Sequence, residues 1–162
     1  MRVYTSVLTG VCFLAMGAVL GQTSEESVKM KDLPPAVQAT VQQQSKGATL
    51  VGLSKEIEDG KTFYEAEMKV NGHGKDVLID SAGKVVEVEE EIALTALPAA
   101  AKSAIEKAAA QGRISKLESV AKDKDLTYEA LIESKGKTSE VKVTPDGKVV
   151  TQKEEEKEEE DK

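Results

Sequence analysis

The sequence predicts an α+β protein made of two tandem modules, each with one helix packed on a roughly four-stranded antiparallel sheet. Three observations lead to this prediction. Similar segments recur at a constant offset along the 162-residue chain, each segment opens with a helical pattern of apolar residues, and the apolar period then falls to two.

The offset between the similar segments is 64 residues, and no gap is needed to align them. Identical pieces are Leu33-Pro34 with Leu97-Pro98, Tyr64-Glu65-Ala66 with Tyr128-Glu129-Ala130, and Gly83 to Val86 with Gly147 to Val150. We interpret the pattern as a duplication and place the modules at residues 31–91 and 92–152. Modules of this size bury little core, so we expect them to pack together or to continue one sheet into the next.

Each module begins with an amphipathic helix. Its Leu-Pro start suits a helix, since proline is favoured at the first helical position. Apolar residues then follow at helical spacing, and glycines near the expected helix ends suit a left-handed cap. The apolar positions are Leu33, Val37 and Val41, then Leu97, Ala101, Ile105 and Ala108, with Gly47 and Gly112 as the end signals.

Strand patterns follow each helix. Tyr64, Ala66 and Met68 alternate with Glu65 and Glu67, and the second module repeats the alternation. Turn residues such as Asn-Gly and Asp-Gly separate the runs. An antiparallel sheet covered by a helix on one face leaves the other face to water. We therefore expect that face to be charged and available to a partner.

The chain begins with the pattern of a secretory signal peptide. Arg2 precedes an apolar run that is shorter than a membrane-spanning helix needs, and a polar, acidic stretch follows. We predict a signal peptide at residues 1–21 with cleavage after Gly21, and a retained anchor is the alternative. Cleavage removes Cys12, the single cysteine, so no disulfide framework is expected. The prediction is a periplasmic or secreted protein without stable membrane insertion once the signal is removed.

Two further segments complete the predicted organisation. Residues 22–30 form a short leader, and the acidic tail at residues 153–162 has no apolar residue and is expected to be disordered. The glutamates from Glu87 to Glu91 are interpreted as a solvated strand end that runs into a linker.

The charge balance disfavours nucleic acid as a partner. The chain has 22 basic and 29 acidic residues, and removing Arg2 with the signal makes it more negative. Affinity for nucleic acid depends mainly on Lys and Arg displacing counterions from phosphates. The chain also has no tryptophan and few other aromatic residues on which bases could stack.

The Leu-Pro-initiated helix, the Tyr-Glu-Ala strand and the segment from Asp80 to Val86 together resemble the PepSY and PepSY-like family. The resemblance covers residues 31–90 and 95–150. It implies a non-catalytic, extracytoplasmic binding or regulatory module of the kind found in propeptides of thermolysin-type proteases and suspected of restraining peptidases. It also implies a fold like that of the β-lactamase inhibitor protein, in which tandem helix-on-sheet domains offer a sheet face to an enzyme.

The residue inventory predicts no catalytic, cofactor-binding or metal-binding site. His73 is the single histidine and lies in a glycine-rich turn, where it has no second histidine or cysteine as a companion. Asp80 and Asp146 could be calcium ligands, but turn chemistry explains an Asp before a Gly at both places. We therefore predict that the protein is not an enzyme and needs no cofactor.

The leading hypothesis is an exported protein-binding module that docks on another extracytoplasmic protein, with a peptidase or other envelope enzyme as a candidate. The alternative is an acidic protein that associates with cations or surfaces through its glutamate-rich tail. Alternation places the candidate contact residues opposite the helices: Phe63, Glu65, Glu67, Thr127, Glu129 and Leu131. Phe63 and Leu131 stand out because they are apolar on an otherwise charged face.

Overall fold

The computed structural model describes residues 24–58, 60–110 and 112–155. The predicted signal peptide with its cleavage site lies outside the described residues, as does the acidic tail from residue 156 onward. Across the described ranges, neither helix has the length and apolar character to cross a membrane.

Two α-helices follow the Leu-Pro pairs, as the sequence pattern indicates. Helix α1 spans Pro35–Gln44 and helix α2 spans Ala99–Ala109. Each helix begins one residue after the predicted proline, so that Pro34 and Pro98 are the N-cap residues. The C-cap residue of α2 is Ala110, whose φ is positive at 49°, and it lies two residues before Gly112, where the sequence predicted the end of the helix.

The strands form one antiparallel sheet in which each strand pairs with the next along the chain. Their bounds are β1 Ser24–Ser27, β2 Thr49–Glu58, β3 Lys61–Val70, β4 His73–Asp80, β5 Val85–Glu91, β6 Arg113–Lys122, β7 Asp125–Ser134, β8 Lys137–Val143 and β9 Val149–Glu155. Strand β1 thus lies in the segment expected to be a leader, and β9 extends into the segment expected to be a tail.

The predicted architecture of two helix-on-sheet modules is wrong, because the described strands make a single nine-stranded sheet. Strands β5 and β6 pair directly, with Glu87 opposite Lys122 and Glu91 opposite Glu118. A strand that ended its sheet at β5 would expose a row of unpaired backbone N–H and C=O groups. Pairing with β6 satisfies those groups, so there is no edge between the two halves of the chain.

Both helices pack on the same face of this sheet. The core beneath α1 and the core beneath α2 are made mainly of small and branched apolar side chains that are almost fully buried, with one methionine and one tyrosine among them. The core under α1 contains Leu33, Val37, Val41, Leu53, Ala66, Met68, Val77 and Ile79, and the core under α2 contains Leu97, Ala101, Ile105, Ala109, Leu117, Tyr128, Ala130, Ile132, Val141 and Val143.

The turn between β4 and β5 fixes the position of α1 on the sheet. Gly83 has a φ of 86°, and a Cβ there would lie 2.8 Å from the carbonyl oxygen of Ala36 in the helix. Thr40 Oγ1 donates a hydrogen bond of 2.6 Å to the Gly83 carbonyl oxygen. Only glycine satisfies both the left-handed backbone and this close approach.

Candidate functional site

The face of the sheet opposite the helices is covered by no helix among the residues that the structure describes, and we call it the open face. Alternation along each strand assigns its side chains, because residues that neighbour a core residue point the other way. Its central members are Phe63, Glu65 and Glu67 on β3, Asp76 and Leu78 on β4, Glu87 and Glu89 on β5, Lys116, Glu118, Val120 and Lys122 on β6, Thr127, Glu129 and Leu131 on β7, and Glu140 and Lys142 on β8.

All six candidate contact residues from the sequence lie on the open face. They form two groups, one on β3 and one on β7, with β4, β5 and β6 between them. At about 4.8 Å per strand the two groups are roughly 19 Å apart. Glu65 is buried, whereas Phe63 and Leu131 are half-buried. The open face is therefore wide, and its centre is made of residues that sequence reasoning did not single out.

The centre of the open face holds a group of three carboxylates, which we call the central carboxylate group. One oxygen from each of Asp76, Glu89 and Glu118 lies within 4.8 Å of the other two. The three residues come from β4, β5 and β6, so the β5–β6 pairing brings them together. Glu118 is only 7% exposed.

Burial, with the neighbouring charges, raises the pKa of two of these carboxyls. Burial, and after it the charges of Glu118 and Glu87, raises the pKa of Glu89 from an ordinary 4.5 to about 8. Burial also raises the pKa of Asp76 to about 6, although the charge of Lys116 opposes the rise. Ionising Asp76 and Glu89 together at this place is thus unfavourable near neutral pH.

Lysines of the open face neutralise part of this charge. Lys116 Nζ lies 2.8 Å from Glu118 Oε1, and Lys142 Nζ lies 2.7 Å from Glu129 Oε2. Burial lowers the pKa of Lys116, but the hydrogen bond and charge of Glu118 outweigh it, so the net pKa is raised. The ammonium group therefore stays charged within the central carboxylate group.

The ion pair between the two halves of the sheet lies on this face as well. Lys122 Nζ is 2.8 Å from Glu87 Oε2, in an orientation that does not meet hydrogen-bond geometry. Glu87 is only 5% exposed, so the expectation of a solvated strand end is wrong for this residue. The alternation of Glu87, Glu89 and Glu91 was the signal that could have placed these glutamates on a strand face.

A second group of carboxylates lies at the β1 edge of the open face, and we call it the edge carboxylate group. One oxygen from each of Glu25, Glu56 and Glu65 lies within 4.8 Å of the other two. Burial raises the pKa of Glu56, a hydrogen bond with Glu65 lowers it, and the charge of Glu25 raises it again. Sequence reasoning named Glu65 of this group and missed the other two, which lie on different strands.

A groove of about 850 Å³ opens at one end of the sheet, next to Phe63 and Leu78. Lys84 Nζ and Asp123 Oδ1, from the turns after β4 and β6, face each other there at 3.4 Å. The other charged residues that line the groove are Lys55, Glu58, Lys61, Asp80 and Lys122. The groove thus brings the apolar side chain of Phe63 together with several lysines.

The turn aspartates bind backbone amides or a neighbouring hydroxyl. Asp80 Oδ1 accepts hydrogen bonds from the amides of Ala82 and Lys84, at 3.0 and 2.9 Å. Asp146 accepts one from the hydroxyl of Thr144. His73 is exposed at the start of β4. These residues therefore stabilise turns or lie at the surface and do not join either carboxylate group.

Comparisons with known proteins show the fold. No family model and no curated protein matches the chain. Among solved structures, a suspected periplasmic protein from Bacteroides eggerthii has a TM-score of 0.64 at 19% identity, covering 75% of this chain and 88% of that one. A DUF2874 family protein from Bacteroides ovatus has a TM-score of 0.61 at 20% identity, covering 75% and 87%. A BLIP-like protein from Bacteroides fragilis has a TM-score of 0.59 at 17% identity, covering 75% and 86%. The chain therefore shares the fold of these BLIP-like and DUF2874 proteins.

Proposed function

We propose that this protein is an exported, non-catalytic binding protein whose open face binds a basic surface of another extracytoplasmic protein. The observation that carries the proposal is the central carboxylate group, in which Asp76, Glu89 and Glu118 are held together on a face that no helix covers in the described part of the chain. Buried like charges destabilise a fold, and clusters of this kind concentrate at functional sites.

Charge complementarity favours a basic partner. Carboxylates on the open face outnumber the lysines that pair with them, and Lys and Arg of a partner would relieve the repulsion. Such pairing steers association and sets specificity. Apolar anchors supply binding energy beside the charges, and Phe63 and Leu131 are the side chains on this face that suit that role. Both are half-buried and lie on either side of the central carboxylate group.

The proposals of export and of the class of partner rest on the sequence and on the fold. The signal-like segment favours export, and one structural relative is a suspected periplasmic protein. The BLIP-like name of another relative agrees with a protein-binding role. An envelope enzyme, with a peptidase as the candidate that the PepSY-like pattern implies, is the partner class we propose.

We also infer that the chain arose by duplication of one PepSY-like unit. The bounds of the secondary structure support this, because β2 spans Thr49–Glu58 and β6 spans Arg113–Lys122, a shift of 64 residues at both ends. Strands β3 and β7 are related by the same shift. Under this inference the single sheet formed when the second unit paired its first strand with the last strand of the first.

The test has two stages. Residues 22–162 serve as bait in an envelope extract of the source organism, and the captured protein is then purified for affinity measurements at 50 and 300 mM salt in the presence of EDTA. The open-face variants are Phe63→Ala/Leu131→Ala and Glu67→Gln/Glu129→Gln. The matched control is Glu26→Gln/Glu106→Gln, which removes two exposed carboxylates from the helix side.

We expect a basic protein whose affinity falls with salt and falls at least about tenfold in both open-face variants, as for contacts in the centre of an interface. The control variant should bind like the wild type. An equal loss of affinity in the control variant would contradict the proposal. So would a partner whose affinity is unchanged by salt and by the open-face variants. Loss only on deletion of the acidic tail would favour association through the tail.

A further inference from the structure

The edge carboxylate group is built by three neighbouring strands. Glu25 on β1 lies directly opposite Glu56 on β2, and Glu65 on β3 lies directly opposite Ser54 on β2. Ladder hydrogen bonds of the sheet set these positions. The three carboxylates therefore converge because of strand register and do not depend on a loop conformation.

Ser54 provides an independent sign that this group accommodates a ligand. It is 4% exposed, and its Oγ has no hydrogen-bond partner within the described ranges of the chain. It precedes Glu56 by two residues on the same strand, so its hydroxyl points to the same side of the sheet. A buried hydroxyl without a partner is uncommon in native proteins, and this one belongs to a residue directly opposite Glu65 and two residues from Glu56 on the same face.

In the central carboxylate group a lysine of the chain offsets part of the negative charge. There Lys116 places an ammonium group 2.8 Å from Glu118, and its charge also acts on Asp76. The residue 64 positions before Glu118 is Ser54. It therefore gives the edge group a neutral hydroxyl oxygen where the central group has a carboxylate. Three carboxylates and a hydroxyl make an all-oxygen donor set.

We propose that Glu25, Glu56, Glu65 and Ser54 Oγ bind one divalent cation, and that the cation is calcium. Calcium takes six to eight oxygen ligands at about 2.3–2.6 Å, so two oxygens bound to one ion are at most about 5 Å apart. The carboxylate oxygens of the edge group meet this limit. Water supplies the remaining positions, since Glu25 is exposed at the sheet edge.

The donor set discriminates among cations. Zinc prefers nitrogen and sulfur ligands, which this group lacks. Magnesium requires near-ideal octahedral geometry at about 2.0–2.1 Å and gives up its waters reluctantly. Carboxylates fixed by a sheet ladder adapt better to the larger and more tolerant calcium ion.

The site has a structural consequence for β1. This strand has four residues and, among the described strands, pairs with β2 alone, whereas the bound ion would connect β1 with both β2 and β3. Calcium should therefore slow amide hydrogen exchange at residues 24–27. The inference goes beyond the proposed function, because it requires no partner protein.

The test is calorimetric titration of metal-free residues 22–162 with calcium chloride and with magnesium chloride. We expect one calcium site with a Kd of about 10⁻⁴–10⁻³ M, as in extracellular calcium modules, and at least tenfold weaker magnesium binding. Glu56→Gln should weaken calcium binding at least about tenfold and Ser54→Ala about threefold, because each removes a ligand. The matched control Glu67→Gln, on the same face but outside the edge group, should change binding less than about twofold.

Two further measurements separate the alternatives. A chain ending at Glu155 should keep the site, so loss of binding there would assign calcium to the tail and overturn the proposal. Hydrogen exchange at residues 24–27 reports on the wild-type protein and does not depend on whether a variant folds. Absence of saturable calcium binding below about 10 mM, equal magnesium binding, or equal weakening by Glu67→Gln would each refute the site. Partner capture in EDTA is independent of all these outcomes.

Discussion

Glu89 offers the sharpest test of the electrostatics of the open face. Burial and the neighbouring charges of Glu118 and Glu87 raise its pKa from 4.5 to about 8 in the folded protein. The folded state therefore binds more protons than the unfolded state between these two values. It follows that stability falls as pH rises through this window, and that a neutral side chain at position 89 removes the fall.

The magnitude follows from the shift. One pKa unit corresponds to about 1.4 kcal/mol, so a rise from 4.5 to about 8 amounts to roughly 5 kcal/mol at most. The effect of Glu89→Gln is smaller, because Lys116 loses an attractive charge and the repulsions are shared with Glu118 and Glu87. We expect Glu89→Gln to raise the free energy of unfolding by at least about 2 kcal/mol at pH 8.5 and to leave it nearly unchanged at pH 4.5.

The assay is urea unfolding followed by far-ultraviolet circular dichroism at both pH values, since the chain has no tryptophan for fluorescence. The glutamine amide can donate a hydrogen bond to Glu87 as the protonated carboxyl does, so the variant keeps its neighbours in place. Glu106→Gln, on the exposed side of α2, is the matched control and should show no such dependence on pH. A Glu89→Gln protein that is no more stable than the wild type at pH 8.5 would refute the reasoning.

Three further predictions concern the sheet and its cores. Gly83→Ala should lower the free energy of unfolding by about 3 kcal/mol, because alanine is strained in the left-handed backbone conformation and would clash with α1. Gly60→Ala has open space around it and should lower the free energy of unfolding by only about 1 kcal/mol. Chemical denaturation of both variants checks this. Lys122→Met should lower the free energy of unfolding by about 1–2 kcal/mol, because it leaves buried Glu87 without its ion pair. Adding Glu87→Gln should restore most of this stability, and a double-mutant cycle in which the two losses simply add would contradict the prediction. Ile105→Ala should lower the free energy of unfolding by about 2–5 kcal/mol. Amide hydrogen exchange should become faster in both halves of the sheet, since only two independently folding halves would respond separately.

The two carboxylate groups illustrate different ways to accommodate like charges on one sheet face. The central group is paired with Lys116 and lies between apolar candidates for partner contact, which suits recognition of a basic surface. The edge group has the Ser54 hydroxyl on the same face and lies at the sheet margin, which suits an ion that binds β1 to its neighbours. A partner and a cation could therefore bind at the same time, and binding in EDTA and in calcium would reveal any coupling between the two sites.

The sequence by itself determined the local structure and the direction of the side chains. The Leu-Pro pairs marked both helices, and alternation of period two placed Phe63 and Leu131 on the side away from them. These features depend on residues near one another along the chain, so a local pattern is enough to predict them.

Only the tertiary structure decided which strands are neighbours. Alternation assigns a face but not a partner, because the hydrogen bonds between strands are made by backbone groups that every residue carries. The β5–β6 pairing joined the expected modules into one sheet and brought Glu89 and Glu118 together. The pairing of β1 with β2 likewise brought Glu25 to Glu56. The candidate sites are products of register across distant segments, and for that physical reason no run of sequence could reveal them.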